Sequence, residues 1–291
     1  NPCGTTAAKA GLKPDLQHGS HTMDKIGKFQ IIKKLGEGAT SVVWLGHDPF
    51  ADRDVAIKVV ASSVFSGGEH GKIARNLFVT EASLAGKLVH PHIVQIYDAV
   101  ADADPSYIVM EYVAGGTLEP YCTPDRLLPM VDLIEMIFKC TRALDFAYRL
   151  GVIHRDLKPA NILRAGSSGS DVKISDFGAA LSASSDQTAV AGIGSPAYMS
   201  PQQVQDWPLD HRTDIFSLGV VMYQLLTGQL PFQGSNNGSI VYQILNTQPP
   251  PPSALRAGIP PVVDAVVMKA MQKSLEDRYA SWDDFSFDLA E

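Results

Sequence analysis

The stretch at residues 154–161 gathers several chemically active side chains within eight positions. It contains Asp156, Lys158 and Asn161. Pro159 disfavours helix at the residue before it and cannot donate to a sheet ladder, which predicts a loop. A carboxylate can orient a hydroxyl, a cation can stabilise charge on a transferred phosphate, and an amide oxygen can bind magnesium. Phosphoryl transfer from a nucleotide needs such a set of residues, and an ordinary polar turn is the alternative.

Length and composition restrict the classes of protein that fit. The 291 residues are enough for one large domain or two small lobes, and 45% hydrophobic residues indicate a globular chain. The 24 Lys and Arg against 31 Asp and Glu give a net charge of −7, and no basic run appears, which argues against a nucleic-acid partner. The three cysteines lack metal or disulfide spacing, which suits a reducing cytoplasm. No apolar run approaches the roughly 18 residues that a membrane span needs.

The first 22 residues are rich in small and polar residues, and a Gly-Ser-His-Thr stretch precedes Met23. We interpret residues 1–22 as an expression tag or a native disordered arm, outside the fold.

A pair of glycines between predicted strands forms a second candidate site. Gly36 and Gly38 lie between an alternating apolar segment and β-branched runs at residues 42–46 and 55–60. A glycine loop between two strands differs from a Rossmann or P-loop site, in which the glycines precede a helix. Lys58 follows in the second run.

Further along the chain, helical apolar spacing at Ile73, Leu77, Leu84 and Leu88 predicts a helix that contains Glu81. On its own, Glu81 would be interpreted as a solvated surface residue.

Three later segments complete the set of sequence motifs. A predicted strand at residues 107–113 runs into the glycine pair at 115–116, which marks a lobe boundary. Apolar periodicity predicts a long helix at residues 130–150, ahead of the polar loop. A short predicted strand at residues 172–175 precedes an Asp-Phe-Gly motif that begins at Asp176.

In this order and spacing, the motifs resemble the catalytic domain of eukaryotic-type (Hanks-type) serine/threonine protein kinases, in particular the bacterial branch. The resemblance covers about residues 23–291. It implies an α+β, two-lobed fold: a small antiparallel-sheet lobe with one helix at residues 23–112, and a larger, mostly helical lobe at residues 113–291. ATP and Mg²⁺, or Mn²⁺ in its place, would bind between the lobes.

The resemblance also implies a role for each site residue. Asp156 would orient the acceptor hydroxyl, Lys158 would stabilise the γ-phosphate, and Lys58, paired with Glu81, would align the α- and β-phosphates. Asn161 and Asp176 would bind the metal. The residues expected around the nucleotide are Leu35, Gly36, Gly38, Val43, Ala56, Lys58, Met110 as gatekeeper, the backbone of Glu111 and Val113, and Leu163.

Two positions near the large-lobe core lead to further expectations. Gln202 stands where relatives place a glutamate that pairs with an arginine, here Arg278. Because an amide supplies no charge, we expect Arg278 to be partly exposed or paired with another acid. Asp214, at a predicted helix start, is expected to be an N-cap, and the resemblance implies that it also braces the catalytic loop.

The segment after Asp-Phe-Gly is expected to be an activation loop that ends in a substrate-docking segment at residues 194–202. The resemblance implies a phosphate-receiving role for Arg155, but Ala179, Ala180 and Leu181 supply no second cation. We expect autophosphorylation with Thr188 as the leading site, and with only a modest effect on activity. Other candidate sites are Ser182, Ser184 and Ser185; incidental modification of a polar loop is the alternative.

Two other functions stay open at this point. A pseudokinase would keep the fold as a binding module without catalysis, and a small-molecule kinase would phosphorylate an alcohol rather than a protein. The complete catalytic set argues against the first, and the docking segment argues against the second. The expected partners are proteins with serine or threonine acceptors, with self-association for trans-autophosphorylation. The expected location of this domain is the cytoplasm, and an anchor elsewhere in a full-length protein would be compatible with it.

Overall fold

A computed structural model describes residues 25–38, 41–66, 68–166, 169–177, 181–182 and 196–291. Within these ranges the side chains of His70, Leu77, Glu81, Leu181 and Ser182 are outside the description. The segment at 1–22 and most of the expected activation loop also lie outside the described residues.

The first part of the chain forms a six-stranded antiparallel sheet with the strand order β1-β2-β3-β4-β6-β5. Its strands are rich in β-branched and aromatic residues, which fit a pleated, half-buried surface. The strands are β1 (Lys25–Ile26), β2 (Phe29–Glu37), β3 (Ser41–Asp48), β4 (Arg53–Val60), β5 (Ile96–Val100) and β6 (Tyr107–Glu111).

The two faces of this sheet have different partners. One face carries a small apolar core of Ile26, Phe29, Val55, Ile57, Val59, Tyr107 and Val109. Because side chains alternate along a strand, Ala56 and Lys58 lie on the opposite face. Val43 pairs with Lys58 and Met110 pairs with Ala56, so these residues share that face. The sheet register therefore builds one wall of the site described below.

Helix α1 (Glu69–Gly86) follows β4 and connects the small lobe to the core of the large lobe. Ala85 and Leu88 are buried in that larger core, whereas Ile73 is 54% exposed. Two backbone hydrogen bonds join the segment after the helix to β9 (Val172–Ile174). Ile174 N–H donates to His92 O at 2.9 Å, and Val94 N–H donates to Ile174 O at 2.9 Å.

The large lobe is mostly helical. Its helices are α2 (Met130–Arg149), α3 (Pro201–Val204), α4 (Arg212–Thr227), α5 (Asn237–Asn246), α6 (Pro261–Ala270) and α7 (Trp282–Ala290). Two short antiparallel pairs complete it, β7 (Val152–Ile153) with β10 (Leu181–Ser182), and β8 (Ile162–Arg164) with β9. The predicted α+β, two-lobed fold is confirmed. Of the described helices, none has the length and apolar character that a membrane crossing requires.

The linker between the lobes passes very close to β8. A Cβ on Gly115 would lie only 2.3 Å from Arg164 O, and Arg164 N–H donates to Gly116 O at 2.9 Å. Glycine is therefore required for this close approach of two backbones.

The expectation for Arg278 is wrong. Its side chain is buried, with 3% of the residue exposed, and no carboxylate lies within ion-pair distance of it among the described residues. Gln202 Oε1 accepts a hydrogen bond from Arg278 at 3.1 Å. The guanidinium also donates to three backbone carbonyls, those of Gln272, Arg212 and Lys273. Backbone acceptors thus replace the missing acid.

The capping role expected of Asp214 is also wrong. Helix α4 begins two residues earlier, at Arg212, and His211 occupies the N-cap position without a side-chain cap. The Asp214 carboxylate is instead buried and turned toward the loop at 154–161.

Candidate active site

The polar loop at residues 154–161 forms one hydrogen-bonded cluster. Lys158 Nζ lies 2.7 Å from Asp156 Oδ2. Asn161 Nδ2 donates to Asp156 O at 2.7 Å and to Asp156 Oδ2 at 3.2 Å. The side chains of Asp156 and Lys158 are about one-third exposed, at 31% and 28%, whereas Asn161 is buried. A carboxylate and an ammonium group are therefore held together at an accessible surface by an amide beneath them.

The buried Asp214 carboxylate supports the backbone of this loop. It accepts from His154 N–H at 2.7 Å and from Arg155 N–H at 2.8 Å. Arg155 has a φ of 67°, in the left-handed region that non-glycine residues rarely adopt. Such a conformation costs about 1–3 kcal/mol and persists only where surrounding contacts hold it. The bracing role that the resemblance implied for Asp214 therefore has a direct geometric counterpart.

Asp176 is held beside the same loop by strand β9 and its neighbours. Ser175 N–H donates to Asn161 O at 2.8 Å, and His154 Nε2 lies 3.0 Å from Ser175 O. The His154 and Phe177 rings pack with their centres 4.6 Å apart. Asp176 itself has a φ of 63°. The turn therefore directs Asp176 away from β9 and toward the cleft.

Lys58 and Asp176 form an ion pair that joins the two lobes. They are 118 residues apart in the chain, and the ammonium group of Lys58 donates to Asp176 Oδ1. Desolvation of the carboxyl would raise the pKa of Asp176, but the charge and hydrogen bond of Lys58 hold this pKa below its ordinary value. The carboxylate is thus ionised at neutral pH.

The pairing of Lys58 with Glu81 stays a prediction. Glu81 belongs to α1, but its side chain lies outside the described residues.

The apolar residues predicted around the nucleotide come from both lobes. Val43, Ala56 and Met110 share the sheet face that carries Lys58. Leu163 lies on β8 of the large lobe, where it is paired with Thr117 and Lys173. Leu35 is 40% exposed near the end of β2.

The predicted backbone contacts come from the glycine loop and from the end of β6. Gly36 pairs with Val43, and Gly38 N–H donates to Ser41 O at 2.8 Å. Glu111 N–H donates to Gln95 O at 2.8 Å. Val113 follows the end of β6, outside the sheet.

A second interlobe ion pair was not predicted from the sequence. Lys173 Nζ, on β9, lies 3.1 Å from Glu111 Oε2 at the end of β6. The same carboxylate oxygen accepts from Gln95 N–H at 3.2 Å. No spacing rule links residues so distant in sequence, and the sequence offered no signal for this contact.

The donor set at the junction of loop and β9 fits a magnesium-type ion. Mg²⁺ prefers one or two carboxylates together with substrate phosphates, rather than a site built entirely by protein. The Asn161 amide nitrogen donates to Asp156 O, which leaves Oδ1 as the atom that would bind a metal ion. The Asp176 carboxylate is ionised and already faces a cation, Lys58. Among the described residues, no group of three or more His, Cys, Asp or Glu is placed to hold a metal ion.

Comparison with known proteins supports the resemblance to protein kinases. The protein kinase domain family matches residues 29–279. The serine/threonine-protein kinase PknB of Mycobacterium leprae is 39% identical over 275 residues, which are 90% of this chain and 42% of that protein. PknB of Mycobacterium tuberculosis is 37% identical over 283 residues, 93% of this chain and 43% of that protein.

A probable serine/threonine-protein kinase of Clostridium acetobutylicum is 34% identical over 254 residues, 87% of this chain and 38% of that protein. This chain thus spans less than half the length of these relatives. The predicted resemblance to bacterial serine/threonine kinases is confirmed.

Proposed function

This chain belongs to the protein kinase domain family, and we propose that it transfers the γ-phosphate of ATP to serine and threonine hydroxyls of proteins in bacterial signalling. We take residues 23–112 as the small lobe and residues 113–291 as the large lobe of this kinase.

One observation carries the proposal: five predicted side chains form a continuous network across the cleft. Lys58 pairs with Asp176, whose neighbour Ser175 is bonded to the backbone of Asn161. Asn161 is bonded to Asp156, and Asp156 to Lys158. Phosphoryl transfer depends mainly on positioning and on electrostatic stabilisation, which a network of this kind provides.

The chemistry divides among these groups by exposure and charge. The accessible carboxylate of Asp156 would accept a hydrogen bond from the acceptor hydroxyl and orient its oxygen toward the γ-phosphate. The transition state is loose, so orientation matters more than base strength. Lys158, 2.7 Å from Asp156, would stabilise charge on the phosphate oxygens. Serine and threonine hydroxyls both fit this scheme.

On the nucleotide side, Lys58 would exchange its contact with Asp176 for the α- and β-phosphates, with Glu81 as its counter-ion. Leu35, Val43, Ala56, Met110 and Leu163 would enclose adenine, whose edge would bond to the Glu111 carbonyl and to Val113.

The nucleotide phosphates would lie over the glycine loop at Gly36 and Gly38. Asn161 and Asp176 would hold Mg²⁺, or Mn²⁺ in its place. When bound, the ion would neutralise charge on the β- and γ-phosphates.

The described part of the docking segment favours a protein acceptor over a small alcohol. Tyr198 OH donates to Gln224 Oε1 at 2.6 Å, and Ser217 Oγ donates to Tyr198 O at 2.8 Å. These contacts fix the end of the segment on α4, beside the catalytic loop, where an extended peptide could lie.

Autophosphorylation of the activation loop is part of the proposal, and self-association would allow it in trans. The side chains of Thr188, Ser182, Ser184 and Ser185 lie outside the described residues. Within the described residues, Arg155 Nε is buried without a hydrogen-bond partner, which is compatible with a group that receives a phosphate. We place this domain in the cytoplasm, where ATP is available.

The test is phosphate incorporation with Mg²⁺ and ATP into a generic protein, into a panel of small alcohols and into the chain itself, with modified residues mapped by mass spectrometry. Asp156→Asn should reduce incorporation by at least about 100-fold, because the neutral amide binds the acceptor hydroxyl less strongly than a carboxylate does and cannot take up its proton. Its affinity for ATP should stay within about twofold, since Asp156 faces the acceptor rather than the nucleotide. ATP binding without any transfer by the wild type would indicate a pseudokinase. Undiminished transfer by Asp156→Asn would contradict the assigned role, and transfer to alcohols alone would indicate a small-molecule kinase.

A further inference from the structure

Gln203, on the short helix α3, joins the end of the docking segment to the catalytic loop. Its side chain is buried, with 6% of the residue exposed. Gln203 Nε2 donates to the backbone carbonyl of Arg155 at 2.8 Å, across 48 positions of sequence. Its Oε1 accepts from Ser200 N–H at 2.9 Å. One amide therefore bonds with both of its ends to two different segments.

The orientation of this amide is determined by its partners. A backbone N–H can only donate, so Ser200 N–H must face the oxygen of the amide, and the Arg155 carbonyl can only accept, so it must face the nitrogen. Gln203 N–H in turn donates to Ser200 Oγ, which completes a reciprocal capping box at the start of α3.

The carbonyl bound by Gln203 belongs to the peptide group that precedes Asp156. The N–H of the same peptide, that of Asp156, donates to His154 Nδ1 at 3.2 Å. Arg155 N–H donates to Asp214. The peptide group between Arg155 and Asp156 is therefore fixed at both its C=O and its N–H. Arg155, whose backbone is left-handed, is fixed at its own N–H and at this same C=O. Without Gln203, the carbonyl contact would be lost while the Asp214 contact stayed.

We propose that Gln203 is a positioning residue, which holds the Arg155–Asp156 peptide so that the Asp156 carboxylate faces the acceptor hydroxyl. Gln203 acts through the loop backbone and not on the substrate. Because it lies directly after the docking segment, it also couples the placement of that segment to the placement of Asp156. This role rests on the proposed kinase function.

Two substitutions separate this role from simple capping of α3. Gln203→Met removes both side-chain bonds at nearly constant volume. Gln203→Glu keeps the acceptor for Ser200 N–H, and a glutamate is a standard partner in a capping box. The carboxyl group can donate to the Arg155 carbonyl only while it is protonated. Gln205, the C-cap residue of α3, is the matched control, because its Nε2 donates to Pro201 O at 2.9 Å and not to the catalytic loop.

The experiment compares the Met and Glu variants at positions 203 and 205 by kinase assay at several pH values and by hydrogen–deuterium exchange. Gln203→Met should lower kcat by at least about tenfold, because a misplacement of about 1 Å can cost about 100-fold. Its KM for ATP should stay within about twofold. For Gln203→Glu, the ratio of its kcat to that of the wild type should fall as pH rises from 5 to 8. The position 205 variants should match the wild type throughout.

Exchange gives a readout that does not depend on activity. Amides in residues 152–160 should exchange faster in Gln203→Met than in Gln205→Met, while other core segments keep their protection. If the wild type transfers no phosphate, the proposed function fails, and exchange alone still decides the positioning role. Unchanged kcat and exchange in both position 203 variants would overturn the inference. The inference would also be overturned if Gln203→Met lowered kcat while Gln203→Glu kept the kcat of the wild type at every pH. That pattern would indicate that the Gln203 side chain only caps α3.

Discussion

At the scale of single residues, Lys273 is a cation with little compensation for its burial. Its Nζ is buried and has no hydrogen-bond partner among the described residues. The nearest favourable contact is the face of Phe232, 3.8 Å from Nζ to the ring centre. Burial first, and the charge of Arg278 second, lower the pKa of Lys273 to about 8. The folded state therefore favours the neutral amine of Lys273 more than the unfolded chain does.

We expect Lys273→Met to raise the free energy of unfolding at pH 7 and to change its pH dependence. Below about pH 8 the wild type carries the cost of a buried ammonium group in the folded state. Between about pH 8 and 10 the folded state loses this proton while the unfolded chain keeps it, so wild-type stability rises with pH in this window. Methionine removes the titration and should flatten that rise.

The measurement is urea unfolding at intervals from pH 7 to 10, with Lys269→Met as the control. Lys269 is partly exposed and pairs with Asp288 at 3.2 Å, so its removal should neither stabilise the protein nor alter this rise. A Lys273→Met protein that keeps the wild-type rise would show that Lys273 does not titrate there.

Individual site residues could be predicted where a motif fixes both type and spacing. Asp156, Lys158 and Asn161 lie within six positions, and their local contacts follow from that spacing. The partners of Gln203 and of Glu111 could not be predicted, because they lie on segments distant in sequence. Gln203 meets Arg155 within the large lobe, and the packing of the two lobes brings Lys173 to Glu111. The same packing pairs Lys58 with Asp176, a contact that the predicted Glu81 pairing did not anticipate.

At the scale of elements, the Arg278 pocket joins α3, α4 and the segment between α6 and α7. Gln202, on α3, uses both ends of its amide there: Oε1 accepts from Arg278 at 3.1 Å, and Nε2 donates to Lys273 O at 3.2 Å. Burial lowers the pKa of Arg278 to about 10 against the opposing charge of Asp210. Among the described residues, the cationic groups of Lys273 and Arg278 thus lie near Gln202 without an acid in direct contact.

We expect Gln202→Glu to stabilise the fold by about 1 kcal/mol at pH 7, because a charged hydrogen bond to Arg278 contributes more than the neutral bond that it replaces. The substitution loses the bond to the Lys273 carbonyl, which offsets part of this gain. Gln202→Leu, which loses both bonds, should be the least stable of the three proteins. Thermal unfolding of all three gives the order. A glutamate variant less stable than the wild type would show that donation to the Lys273 carbonyl dominates.

Element positions were predicted more reliably than the orientation of their side chains. The helix expected at 130–150 is α2 (Met130–Arg149), and the strand expected at 172–175 is β9 (Val172–Ile174). Val131 and Ile73, counted among the apolar positions of their helices, are 76% and 54% exposed. Apolar periodicity predicts which side of a helix is buried. It does not predict how wide the buried stripe is, because the edges of the stripe depend on what packs against the helix. Likewise, Asp214 fits an N-cap by local rules, but its carboxylate instead accepts hydrogen bonds from two backbone N–H groups of the catalytic loop.

At the scale of the whole molecule, the two lobes are joined by more than the glycine linker. Ile93, just after α1, is 1% exposed and belongs to the same buried core as Ile174 and Phe177 of the large lobe. It also forms a parallel bridge with Ile174. Among the described residues, the separate core of the small lobe contains seven buried side chains, which is little for an independently stable unit. We therefore expect both lobes to unfold together.

Truncation of Ile93 tests this coupling. We expect Ile93→Ala to lower the free energy of unfolding by about 2–5 kcal/mol, the range for large-to-small changes at buried sites. The transition should stay single, so that Trp44 in the small lobe and Trp282 in the large lobe report one midpoint. Val89→Ala is the control: this neighbouring side chain is 70% exposed, so its removal should change stability by less than about 0.5 kcal/mol. Global denaturant curves from fluorescence and circular dichroism, with hydrogen–deuterium exchange of each lobe, give the comparison. An early loss of the small lobe alone in Ile93→Ala, with the large lobe at its wild-type midpoint, would show that the lobes are independent folding units and that the Ile93 contact only orients them.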